Sequence, residues 1–121
     1  MYKKITFLML FLSFSCILFA QQRQENTQLE GIWQGVTEND STTSFIFRSN
    51  NLIMTDQNEI VVGTFIINNR IINFNVEYMF MGSEWKNVVN HNIRINFEYM
   101  FSGNNLIVVN EGDQISLKKI E

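Results

Sequence analysis

Few residues in this 121-residue chain have the types and spacing that chemistry requires. His91 is the single histidine and Cys16 the single cysteine, so a protein-only zinc site lacks its nitrogen and sulfur donors. Asn90 and Asn92 flank His91, a setting that reads as an exposed loop. Glu77 and Glu98 hold comparable places in two similar segments, which could suggest paired carboxylates for acid and base work. The alternation of their neighbours instead puts both on a solvated face. Asp56, Glu59, Glu111 and Asp113 occur in turns, where acidic side chains bond the local backbone, and calcium would need a denser oxygen cluster. Nucleophile, base and orienter cannot be assembled from these parts. Neither catalysis, nor a metal, nor a cofactor is therefore expected. What remains is a set of rings, Phe45, Phe47, Phe74, Tyr78, Phe97, Tyr99 and Phe101, joined by Val76, which would line an apolar interior with two phenol hydroxyls as its polar handles.

The elements that must position these rings are strands. Over residues 71–101, Ile72, Phe74, Val76, Tyr78 and Phe80 alternate with Asn73, Asn75 and Glu77, and Ile93, Ile95, Phe97, Tyr99 and Phe101 alternate with Arg94, Asn96 and Glu98. A period of two is what a half-buried strand requires, because successive side chains point to opposite faces. Met79, Met81 and Met100 fall on the outward face by the same count, where adjacent arms would gather them into an adaptable contact surface for a protein partner.

Shorter runs at 29–36, 42–48, 52–55, 60–67, 106–109 and 115–120 complete eight expected strands, with turns at Asn50 and Asn51, at Asn68 and Asn69, at 102–105 and at 111–113. Residues 83–92 form the longest connection, and Trp85 suggests that part of it packs on or extends the wall. Residues 45–53 and 99–107 share one pattern, aromatic, aliphatic, aromatic, four polar residues, then Leu-Ile, which implies two hairpins of similar geometry. No proline interrupts any strand. An open sheet with one aromatic face would leave edges and apolar surface exposed, and closure removes both. The expected fold is all-β, an up-and-down antiparallel eight-stranded barrel.

The N-terminus reads differently. Lys3 and Lys4, an apolar run over 5–20 and an abrupt polar turn at Gln21 have the architecture of a signal peptide cut after Ala20. The expected organisation is a signal peptide at 1–20, a flexible leader at 21–28 and one barrel domain at 29–121, exported to the periplasm or the medium. A membrane would be met only through an uncleaved leader or through lipidation at Cys16, which Ser13, Phe14 and Ser15 suit poorly. Past residue 20, seven basic residues face twelve acidic ones, a net charge of -5 that argues against a nucleic-acid partner.

Gly31-Ile32-Trp33 on the first strand, a meander of short hairpins and a basic last strand together resemble the lipocalin-like (calycin-type) domains of small secreted bacterial proteins. The resemblance implies that Gly31 and Trp33 close the base of the barrel, that Lys118 or Lys119 packs across the indole, and that the interior binds a small hydrophobic ligand. The Thr-Asp-Tyr turn of the larger lipocalins is absent, and no C-terminal helix follows, so a shorter barrel is expected. Eight strands stand near the size at which side chains either fill the interior or leave room for one small guest. Two functions therefore stay open, a non-catalytic carrier of an apolar ligand and a protein-interaction module on a packed barrel.

Overall fold

The computed structural model describes residues 27–37 and 40–121. The signal peptide, Cys16 and most of the leader lie outside the described residues. A helical turn at 27–29 leads into β1 (Gly31–Val36), β2 (Thr42–Arg48), β3 (Asn51–Thr55), β4 (Glu59–Asn68) and β5 (Ile71–Met81). Then come a short β6 (Glu84–Asn87), a 3-10 turn (Val89–His91), β7 (Arg94–Ser102), β8 (Asn105–Asn110) and β9 (Asp113–Lys119). Every pairing is antiparallel, in the order β4-β3-β2-β1-β9-β8-β7-β5, and β4 pairs with β5 to close the ring. Eight strands thus make the barrel, and β6, which the sequence left within a connection, is a ninth that extends its wall beside the end of β5.

Closure depends on β1 meeting β9. Trp33 pairs with Lys119 and Gln34 with Lys118, and Ile32 exchanges backbone bonds with the chain end, donating to Glu121 O and accepting from Ile120 N, both at 2.8 Å. Phe47, Phe65, Phe74, Leu52, Ile72, Leu106 and Leu117 are buried on the inner face. Each such side chain contributes about 1.5–3 kcal/mol by leaving water. The rings interlock edge to face, Phe45 on Phe97 at 5.7 Å between centroids and Phe47 on Phe65 at 5.3 Å, the arrangement that ring quadrupoles favour.

The repeated hairpins share their register as well as their pattern. Phe47 faces Leu52 across a two-residue turn in β2–β3, and Phe101 faces Leu106 in the same way in β7–β8. The first turn lies one residue earlier than its asparagines imply: Ser49, with φ 54°, takes the left-handed position. Asn69 and Arg70 both have positive φ at the β4–β5 turn, as a type I′ hairpin requires.

One irregularity changes which residues face inward. Val62 pairs with Tyr78 while Gly63 pairs with Val76, so Glu77 is an extra residue, a β-bulge in β5. A Cβ on Gly63 would collide with the Asn75 carbonyl oxygen, so only glycine lets β4 approach β5 at that point. Past the bulge the alternation reverses. Ile72, Phe74 and Val76 face the core as expected, but Tyr78 is 43% exposed and shares the outward side with Phe80, while Met79 packs inward against the core. The inward placement of Tyr78 and Phe80 and the outward placement of Met79 are thus corrected, because one inserted residue flips every later side chain.

Candidate ligand-binding site

The two ends of the barrel differ. At the base gather the β2–β3, β4–β5 and β7–β8 turns and the meeting of β1 with the end of β9. Trp33 plugs this end, 4% exposed, and its Nε1 donates to the carbonyl oxygen of buried Leu29 at 2.7 Å. Lys119 Nζ stands 5.8 Å from the centre of the Trp33 ring. The absence of a Cβ on Gly31 makes room for that crossing: an ideal Cβ there would lie 2.7 Å from Lys119 Cε, and its φ of 131° suits only glycine. Of the two candidate lysines, Lys119 covers the indole. Lys118 lies on the opposite face of the strand, where it is exposed.

The opposite end carries the β1–β2, β3–β4 and β8–β9 turns, and a cavity of about 330 Å³ enters the barrel there. Its apolar lining comes from Phe45, Phe97, Val108, Met54 and Ile115, and its rim from Thr37, Thr43, Asn110, Asp113 and Gln114. Phe45, Phe97 and Val108 are buried, so the floor is part of the core itself. The volume falls at the lower end of the ~300–1,000 Å³ found for small-molecule sites. A larger hollow of about 940 Å³ lies at the base, between Trp33, Phe101, Lys118, Lys119 and the 102–105 turn. Trp33 is its one buried wall, so it is a surface groove outside the plug rather than an entrance to the interior.

Of the eight residues expected to line a ligand, Phe45 and Phe97 do line the open cavity. Phe47, Phe74 and Val76 are buried in the packed part of the core, and Tyr99 is 7% exposed in the lower half. Phe101, expected inside, is 40% exposed beside Trp33, with 6.0 Å between ring centroids, because it lies at the last turn of the base where the wall ends. Tyr78 points away from the interior, which leaves Tyr99 as the one interior phenol among the pair expected. The inward-facing alternation beyond the aromatic positions was the signal for the residues missed: Thr43 precedes Phe45 and Phe47 by the same period, and Ile115 precedes Leu117.

The carboxylates do not form a site. Glu98 is exposed on β7 and Glu77 is half-buried at the bulge. Glu98 pairs in register with Val109 and Ile71, and Glu77 O accepts from Val88 N at 2.8 Å. Asp56 bonds the backbone of its own turn, accepting from Asn58 N and Glu59 N at 3.0 Å each. His91 is exposed in the 3-10 turn. Among the described residues no three His, Cys, Asp or Glu side chains come together as metal ligands. Met81 and Met100 are exposed but lie at opposite ends of the barrel, and Met79 is inside, so the expected methionine surface does not assemble.

Comparison of the chain with models of known families, with curated proteins and with solved structures found no match. The closed eight-stranded antiparallel barrel is consistent with a lipocalin-like architecture.

Proposed function

We propose that this chain is an exported lipocalin-like protein that binds a small, predominantly apolar molecule in the open end of its barrel and performs no chemistry on it. One observation carries the reading: the barrel is plugged at one end by Trp33 and open at the other, over a floor made by the Phe45 and Phe97 rings. Burial of a guest against Phe45, Phe97, Val108, Met54 and Ile115 supplies affinity, and the amide and hydroxyl groups of Asn110, Gln114 and Thr43 at the rim suit a polar end left near water. The guest is expected to be amphipathic, its apolar part short enough for about 330 Å³.

Titration with an apolar fluorescent probe tests this. Saturable one-to-one uptake is expected, competed by short fatty acids, and weakened at least about tenfold by Ile115→Trp or Met54→Trp, which fill the cavity from half-buried positions. Tyr78→Ser, on the outer wall, is expected to leave uptake unchanged. Absence of uptake by folded protein, or uptake indifferent to both tryptophans, would overturn the proposal.

The competing reading, a protein-interaction module, draws support from a different place. Tyr78 and Trp85, 43% and 56% exposed, form an aromatic outer surface with Phe80 near the rim.

A further inference from the structure

We infer that β6 is a self-complementary edge through which two copies of this chain join into one continuous sheet. β6 is the terminal strand in the sheet order, so among the described residues no strand pairs with its outer side. The direction of its backbone groups follows from one bond. Val88 N donates to Glu77 O at 2.8 Å, which makes that pair a hydrogen-bonded one, and in an antiparallel ladder bonded pairs recur at every second residue. Lys86 with Met79 and Glu84 with Met81 are then the bonded pairs, and the N–H and C=O groups of Trp85 and Asn87 point away from β5, toward the open edge.

Natural sheets protect such edges by keeping them short and by placing lysine on them. β6 has both features, four residues and Lys86. Its charges, however, read Glu84-Trp85-Lys86. If a second copy pairs antiparallel about a two-fold axis at Trp85, Trp85 faces Trp85 of that copy, Glu84 faces its Lys86 and Lys86 faces its Glu84. Both charges of the edge are then matched, whereas most other strands would meet an unmatched lysine. The same register makes the two Trp85 residues a bonded pair, which is the arrangement that their outward N–H and C=O groups require. An isologous contact needs a patch that complements itself under a two-fold axis, and this one does.

The side chains agree with the backbone. Ile60, Phe80 and Trp85 form one cross-strand row on the outer face, with Phe80 and Trp85 rings 5.3 Å apart. Trp85 is 56% exposed in the single chain. Pairing would continue the row through the second copy's Trp85, Phe80 and Ile60, covering the rings. The contact is short, so a dimer in the micromolar range is expected. It lies on the outer wall and is independent of any ligand in the cavity.

Sedimentation velocity over a wide concentration range tests this, with Glu84→Lys and Lys86→Glu as variants. The native chain is expected to dimerise. Each variant alone, carrying two like charges across the axis, is expected to dissociate at least about tenfold more readily. An equimolar mixture of the two variants restores opposite charges and is expected to form the mixed dimer, and the double exchange Glu84→Lys with Lys86→Glu is expected to dimerise by itself. Both positions are exposed, so a thermal transition equal to that of the native chain at dilutions where every form is monomeric is the control for folding. In the native chain, the Trp85 and Asn87 amides are expected to gain protection from hydrogen exchange as concentration rises. A native chain monomeric at several hundred micromolar, dimers unaffected by either single variant, or a mixture no more associated than its components would each overturn the inference.

Discussion

Trp33 holds the base of the barrel by contacts of three kinds. Its ring is buried, its Nε1 satisfies the carbonyl of Leu29, and Lys119 lies over its face. These contributions differ in size. The buried hydrogen bond matters most when one partner is removed, because Leu29 O would be left without a donor in a site water does not reach. Trp33→Phe is therefore expected to lower stability by about 1–3 kcal/mol, read as a fall in the urea midpoint at constant slope. Lys119→Met keeps an aliphatic stem over Gly31 and removes only the charge, so a loss of no more than about 1 kcal/mol is expected in the same measurement. A larger effect from the lysine than from the tryptophan would show that the cation, and not the indole bond, holds the base.

At the scale of the strand, the bulge at Glu77 decides most. Phe74 and Tyr78 have the same parity along one strand, yet Phe74 is buried and Tyr78 is exposed. Phe74→Ala should cost about 3–5 kcal/mol, as large rings deleted from cores do. Tyr78→Ser should stay within about 0.5 kcal/mol. Equal losses at the two positions would mean that β5 runs without a bulge. Gly63→Ala tests the same feature from the facing strand. Its methyl group would meet the Asn75 carbonyl, so a loss of about 1–3 kcal/mol is expected despite better strand propensity. The repeated hairpins teach the complementary lesson. Phe47 and Phe101 occupy equivalent registers, but one is enclosed while the other borders the basal groove, since a hairpin sets pairing and its place in the ring sets burial.

For the molecule as a whole, stability must come from packing within a closed ladder, because the sequence contains no cysteine beyond Cys16. Reductant is accordingly expected to leave the thermal midpoint of the 27–121 region unchanged. A guest bound only by the folded barrel adds to that stability by mass action, about 2.7 kcal/mol at a hundredfold excess over its dissociation constant. A probe that binds without raising the midpoint would be attached elsewhere than in the folded interior. The edge pairing at β6 makes a separate demand at this scale, a midpoint that rises with protein concentration and ceases to do so in Lys86→Glu.

Strict alternation, turn residues at regular intervals and the absence of proline were enough to determine strands, their antiparallel succession and closure, because each is a consequence of local geometry and of the need to cover apolar rings and edges. The Gly31-Ile32-Trp33 triplet pointed to the plugged end only through its resemblance to lipocalin-like domains. Three matters were decided only in three dimensions. The bulge reversed the faces of Tyr78, Met79 and Phe80, since one extra residue leaves no mark on the run Tyr78-Met79-Phe80-Met81, which is apolar on both faces. Lys119 rather than Lys118 met Trp33 because register, not composition, chooses between adjacent residues. The open cavity arose where Thr43, Asn110 and Asp113 share the inner face near the mouth, although Asp113 reads in sequence as part of a turn: whether a strand end looks into a barrel or out to solvent depends on the strands beside it.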